Sequence, residues 1–433
     1  MPAKDLSQSA GVLFDERRDF YLSDRYTKEL WKDVSPFTTA LANLSYDSVP
    51  DPDFKMFEHR AGFLEQTLTV DAAGGSTWSV DGSPGDTTTV TIGALSGLGG
   101  SVGEWLVDLV FEIYDDSDVY QGVARVDSVS GSDITLVSQG NPDDAGNLAG
   151  AVANSFVLEC IGTAIGEGEV SPEAFSDELE VVYNSAQIMR TPVEITGTLY
   201  AAALRGYSNE LARLRTQKSY EHKIQKERTF LTGVRVGGTG MGSGDSFSAI
   251  QSNSNNNKIR QTMGVISALR KYGDSSSSSD KQNLFSFTSG SSGYTEVVTA
   301  AEKISQYLPS RGRFYGFASR KWISWFSTQF LTNVANEGIT IYNNEKSEFG
   351  YKVSRLVTPH CEIDLAPTPV LRRRYSNTMV VINPDAAGLV RYRPMKYSTN
   401  IKTENGYDGV KDEFFSDEGV RLQLIETHSM WTL

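Results

Sequence analysis

Apolar positions along this chain change period twice, and each change marks a boundary. Between residues 61 and 185 they alternate or cluster in short β-branched runs, at 68–70, 87–92, 105–114, 119–126, 133–137 and 155–160. A period of two is what a pleated strand with one buried face requires. Gly, Asp, Ser and Asn punctuate the runs, as in Asp81-Gly82-Ser83-Pro84-Gly85 and Gly140-Asn141-Pro142, so the spacing predicts a small barrel or sandwich. Residues 122–136 predict a hairpin turning at Ser130-Gly131-Ser132. Between residue 61 and Ser171 no helical period is visible.

The period then lengthens. Tyr200, Leu204, Tyr207, Leu211 and Leu214 step by four and three, which predicts one helix over 198–231 with Thr198 as N-cap and Gly233 as stop. Six basic residues from Arg213 to Arg228 load its second half, where the helix dipole favours cations. At 1.5 Å per residue it would form a strut of roughly 50 Å. Glycine and serine make loops of 233–254 and of the stretch around 275–279. Helices are predicted near 257–271, 295–307 and 321–329, and strands at 313–318, 339–342, 351–357, 378–382, 388–393, 395–402 and 419–427. The fold class is therefore α+β.

Residues 1–60 have a third character. Prolines at 36, 50 and 52 separate short helical patches at 24–32 and 36–44, with Trp31, Phe37 and Leu41 as scattered anchors. So few apolar residues make no core, and the stretch reads as an arm that must lie on another surface.

Charge sharpens these divisions. The 433 residues, enough for two or three domains, carry a formal charge of −14. Residues 61–189 hold 21 acidic residues and a single base, Arg125, whereas 190–433 hold 31 basic and 22 acidic residues. The break leaves two readings: a plain acidic surface domain, or complementarity between neighbouring subunits. An acidic total argues against tight nucleic-acid binding, which needs clustered Lys and Arg. The two cysteines, Cys160 and Cys361, form no disulfide framework and suit assembly in a reducing place. The charged first twenty residues do not read as a signal peptide, and no run of 18 apolar residues exists to span a membrane.

Candidate chemistry is sparse. There is no Gly-x-x-x-x-Gly-Lys-Ser/Thr loop, and the glycines at 237–244 follow no strand–turn–helix unit. Gly99-Gly100-Ser101-Val102-Gly103 matches a nucleophile elbow in letters, but a strand rather than a helix is predicted after it. The four histidines, His59, His222, His360 and His428, show no metal-ligand spacing. Asp115, Asp116 and Asp118 lack the glycine and distal glutamate of a calcium loop and read as a solvated turn. No catalytic, cofactor-binding or metal residue is assigned. Acid–base carboxylate pairs are set in space, so the sequence leaves them open. Arg372-Arg373-Arg374 is the one dense basic cluster, with a nucleic acid, a subunit interface or a solvated strand end as its readings.

The order of parts resembles that of tailed-bacteriophage major capsid proteins of the Hong Kong 97 fold. Asn184-Ser185-Ala186-Gln187-Ile188 leading into Thr196-Gly197-Thr198, and Glu210 to Arg228 followed by Phe230-Leu231-Thr232-Gly233, are similar to segments of that group. So is 388–394, followed by the Asn405-Gly406-Tyr407-Asp408-Gly409 turn. The resemblance covers most of the chain and implies an N-terminal arm at 1–60 and an extended loop at 61–197. The loop is too long for a plain hairpin and would carry an inserted β domain at about 71–160. A spine helix of the peripheral domain would follow at 198–232, then an axial domain at 233–375 and returning peripheral strands at 376–433.

The implied function is a major capsid protein assembling into pentamers and hexamers around phage double-stranded DNA, with no enzymatic activity and no cofactor. Its implied partners are further copies of itself, a separate scaffolding protein, a portal and decoration or cement proteins, with only weak non-specific contact to DNA. Its place would be the virion, after assembly in the bacterial cytoplasm. Candidate inter-subunit contacts are Arg372, Arg373, Arg374, Arg125 and Trp31. Two other readings remain open: an encapsulin-type nanocompartment shell of the same fold, and a hydrolase with an accessory β module.

Overall fold

The structure, a computed structural model, describes residues 35–59, 66–71, 83–96, 102–142, 155–168, 179–202, 209–235, 251–252, 254–255, 257–277, 281–288, 293–306, 312–326, 341–344, 353–401 and 408–433. The chain forms two compact units, Phe57–Val181 and the segments on either side of it.

The alternating pattern of the smaller unit closes into a six-stranded barrel. Its strands run in the order Thr67–Val70, Thr87–Ser96, Asp133–Gly140, Tyr120–Ser130, Leu109–Tyr114 and Val157–Thr163. All neighbours are antiparallel. Every second residue points inward, so Leu68, Val90, Phe111, Ile113, Val126, Ile134, Leu136 and Leu158 fill the interior. The predicted hairpin turns between Ser130 and Asp133, with Gly131 at φ 67°, a conformation glycine adopts at no steric cost. One strand starts later than its pattern predicts. A 3-10 turn at Glu104–Leu106 buries Leu106, and Asp108 at φ 67° delays the strand to Leu109.

In the larger unit, the four-stranded sheet has the order Tyr46–Ser48, Ala387–Ser398, Gly409–Leu422 and Gln187–Thr196. Ten residues of Gln187–Thr196 pair antiparallel with 409–418. The excursion expected over 61–197 thus ends earlier: Met189, Thr191, Val193 and Ile195 alternate inward and belong to this sheet. The chain leaves along Asp53–Glu58 and returns along Glu180–Ser185, which pair with each other.

A seven-stranded sheet follows the order Leu284–Ser286, Ser429–Thr432, Thr378–Ile382, Gly312–Ala318, Cys361–Pro367, Val353–Val357 and Ile341–Asn344. Trp322, Trp431, Phe285, Phe287 and Phe314 form its aromatic core with Val297 and Ile304 of the helix Tyr294–Ser305. The stretch 376–433 is therefore shared between both sheets.

The helix expected at 198–231 is corrected by the structure. A short helix, Gly197–Ala201, is capped by the Thr196 hydroxyl and ends at Ala202 in extended backbone. The long helix is Glu210–Thr232, with the Asn209 side chain accepting the Ala212 N–H and Gly233 following its last turn. Its 23 residues span roughly 35 Å. The first part of the upstream stripe is not a buried face: Leu199 and Tyr200 are exposed at 42% and 58%. Leu204 and Tyr207 lie outside the described residues.

Candidate assembly surface: a charged seam and an arginine turn

The long helix lies against the sheet along a face that is largely polar. Strand Gly409–Leu422 presents Asp412, Phe414, Ser416 and Glu418 on one side, as its period of two dictates. The helix answers with Arg215, His222 and Lys226, one or two turns apart. Arg215 binds Asp412 at 2.7 Å, the His222 ring lies 2.9 Å from the Ser416 hydroxyl, and Lys226 pairs with Glu418. The three strand residues are fully buried.

Each rung is completed by neighbours. Asp412 also accepts the Tyr397 hydroxyl at 2.5 Å and the Asn400 N–H at 2.7 Å. Burial opposes its charge, but these bonds and Arg215 prevail and hold it below the usual carboxylate range. Glu418 accepts the Tyr46 hydroxyl at 2.5 Å; burial first, then this bond, drives that phenol's pKa upward. The other His222 nitrogen meets the Thr191 hydroxyl at 2.9 Å, and burial followed by the nearby Lys226 depresses its pKa to about 4. The opposite face of the strand is charged too: Asp417 accepts two bonds from Arg393, and Glu413 pairs with Arg190.

Glu227, on the next residue of the helix, turns towards the arm. Its carboxylate accepts the Phe37 and Thr38 N–H groups at 3.1 and 2.8 Å and the Thr38 hydroxyl at 2.8 Å. It therefore caps the helix Pro36–Leu44, whose own Ser35 makes no side-chain cap. Phe37, Ala40 and Leu41 of that helix are buried, which fixes this part of the arm on the unit. Burial raises the Glu227 pKa to about 7 against the opposing hydrogen bonds.

A basic turn stands apart from the seam. After the strand Cys361–Pro367 the chain packs Leu371 into the core and forms a 3-10 turn, Arg373–Tyr375, with Arg372, Arg373 and Arg374 exposed. Arg373 has φ 56°, a left-handed conformation that costs a non-glycine residue about 1–2 kcal/mol. The hydroxyl of Ser319 anchors the end of the turn by donating to the Ser376 carbonyl at 2.6 Å.

Among the described residues no three His, Cys, Asp or Glu converge as a metal site. The Asp115 carboxylate accepts the Ser117 and Val119 N–H groups, as a turn residue does. The described helices include none long and apolar enough to cross a membrane. Gly99, Gly100 and Ser101 lie outside the described residues, as do the glycines at 237–244.

The model of one family, described as SU10 major capsid protein, matches residues 35–429. The chain belongs to the SU10 major capsid protein family. No curated protein matches the sequence. Among solved structures it is similar to the capsid of a native GTA particle, at 9% identity and TM-score 0.45 over 99% of both chains. It is similar to the capsid of cyanophage P-SCSP1u at 10% identity and TM-score 0.36, over 63% of this chain and 80% of that one. The SrpI encapsulin of Synechococcus elongatus PCC 7942 is also similar, at 8% identity and TM-score 0.38, over 59% of this chain and 77% of that one. The α+β architecture agrees with the expected fold class, and the barrel is the β domain expected from the length of the loop.

For a major capsid protein the relevant side chains are those left for a neighbour. Arg372, Arg373 and Arg374 are solvent-facing in the single chain. Arg125 is not: its guanidinium binds Asp108 at 2.5 Å and Asp127 at 3.3 Å within its own unit. Trp31 lies outside the described residues. The seam went unread in the sequence, since Arg, His and Lys on a helix look like a solvated face. Its one trace is Asp-Glu-Phe-Phe-Ser-Asp-Glu at 412–418, acids set inside an otherwise strand-forming run.

Proposed function

We propose that this major capsid protein closes into an icosahedral shell of pentamers and hexamers around phage double-stranded DNA, as a building block without catalysis. The observation that carries the reading is the family match across 35–429, which takes in both compact units. In this reading 1–60 is the arm, the excursion is the extended loop, and Glu210–Thr232 is the spine helix. The segment 233–375 supplies the axial domain, and 376–433 returns to the peripheral one. Shell closure needs repeated heterologous contacts and a subunit that keeps one shape. The buried seam supports the second need, because paired charges specify register more than they add stability. A separate scaffolding protein, a portal and decoration proteins would complete assembly in the host cytoplasm, and an acidic wall would touch DNA only weakly.

Arg372, Arg373 and Arg374 are proposed to meet acidic surface of an adjoining subunit. Electron microscopy of the protein expressed alone and with candidate scaffold tests the first claim. Closed angular shells or rings of five and six are expected, and stable monomers under both conditions would count against it. Reversing the three arginine charges tests the second: unchanged assembly and salt sensitivity would end it.

A further inference from the structure

The arm and the seam are joined through two neighbouring side chains of the long helix. Lys226 and Glu227 are both buried, and consecutive helix residues project about 100° apart, so they serve different partners. Lys226 pairs with one oxygen of Glu418 on the sheet. Glu227 receives the Phe37 and Thr38 N–H groups and the Thr38 hydroxyl, so among the described residues every hydrogen bond to its carboxylate comes from the arm. Glu418 closes the circuit, because its other oxygen accepts the hydroxyl of Tyr46, two residues beyond the arm helix. Apolar packing follows the same path: Phe37 and Leu41 share one core with Phe230 and Leu231, the next turn of the long helix.

The segment from Phe37 to Tyr46 is thus held at its start by the long helix and at its end by the acid that seats that helix. Lifting the arm would leave the buried Glu227 without a donor and take one of the two partners from Glu418. Sliding the helix along the sheet would break both contacts at once. Stranding a buried carboxylate costs more than losing an exposed ion pair. The arm has one of the latter as well, Asp47 with Arg421 at 3.4 Å, which reaches the sheet without touching the helix. We propose that the arm segment 35–48 is a lock on the register of the long helix, so that arm docking and helix seating form one coupled equilibrium. This goes beyond the shell reading and concerns the single chain. Coupling is reciprocal, so a partner that draws on the chain before Ser35 acts on the whole seam, and a change in the seam acts on the arm.

Amide hydrogen exchange of the full chain, read by mass spectrometry, tests the lock. Tyr46→Phe and Thr38→Val each remove one hydroxyl from it and keep a side chain of similar shape. Either is expected to speed exchange at 214–219, roughly two to three turns before Lys226, by about fivefold or more. Neither hydroxyl touches the Arg215–Asp412 rung that holds this stretch. In the other direction, Arg215→Met is expected to speed exchange at 36–44 by a similar factor. Asp47→Ala is the control: it breaks the arm contact that bypasses the helix and should leave 214–219 unchanged. Amides of the barrel at 109–137 serve as the internal reference. Faster exchange confined to the arm and the residues beside the lost hydroxyl, with 214–219 as slow as in the unsubstituted chain, overturns the proposal. An equal rise at 214–219 with Asp47→Ala overturns it too.

Discussion

The barrel of the smaller unit and the seam of the larger one both bury one face of a strand completely, with opposite chemistry. Inside the barrel, Phe111 and Ile113 belong to one cluster of buried apolar side chains. Along 412–418 the buried polar positions are Asp412, Ser416, Asp417 and Glu418, each bonded to a partner from a distant segment, with Phe414 the one buried ring among them. An apolar face excludes a slip of one residue, which would turn it outward, but gains from any close apolar neighbour and so does not select among them. A charged face gains only when each rung meets its own partner, and a slip of one residue leaves a buried charge alone. The difference divides the labour: the barrel supplies an independent small core, and the seam sets the helix at one position on its sheet.

Four measurements would break or sharpen this contrast. The largest effect is expected in the barrel: Phe111→Ala should cost about 3–5 kcal/mol. In calorimetry the loss should fall on the transition of Phe57–Val181, and a uniform shift of all transitions would deny that unit its independence. Next, Lys226→Met should cost about 3 kcal/mol by stranding Glu418, and adding Glu418→Met should recover much of it. Additive losses in that double-mutant cycle would mean that the pair is not a registered rung.

The third is a pH dependence whose sign differs among three buried groups. His222 and His428 have folded pKa values near 4, below the unfolded value of 6.5. For His428 burial is the cause, and Nδ1 accepts the Asn383 N–H while Nε2 donates to the Gln423 carbonyl. The unfolded chain takes protons first, so stability is lost as pH falls from about 6.5 towards 4. Glu227 works the other way: its folded pKa near 7 exceeds 4.5, so the stability it contributes is full below about 4.5 and lost as pH rises through 7. Between pH 7 and 5 each histidine withdraws roughly 2 kcal/mol and Glu227 returns a similar amount. Denaturant titrations should therefore show net weakening of about 2 kcal/mol, shallower in His428→Gln and steeper in Glu227→Gln. The same slope in both variants would refute the assignment. The smallest effect is expected at the exposed pair Lys218–Glu221, where Lys218→Ala should cost less than about 0.5 kcal/mol.

The same contrast explains what was legible in the sequence. All six barrel strands and their hairpin could be read, because alternation of apolar residues is itself the cause of that structure. The strand Thr378–Ile382 and the arm helix Pro36–Leu44 match their predicted bounds for similar local reasons. The long helix was overextended because its apolar stripe looked continuous, whereas of that stripe's described residues only Leu211 is buried, and Phe230, Leu231 and the polar Arg215, His222 and Lys226 seat it with Leu211. The seam has no short-range signal, since it is made by chain crossings that spacing does not encode.

One strand placement bears on timing. Ser429–Thr432 lies between Leu284–Ser286 and Thr378–Ile382, parallel to the first and antiparallel to the second. Both neighbours are translated first, yet neither can complete its ladder until 429–432 is made. A chain interrupted before that point would display two open edges and leave Trp431 missing from the aromatic core. Synthesis thus completes this sheet only once 429–432 has been made, and a subunit without it lacks the finished sheet on which shell building would draw.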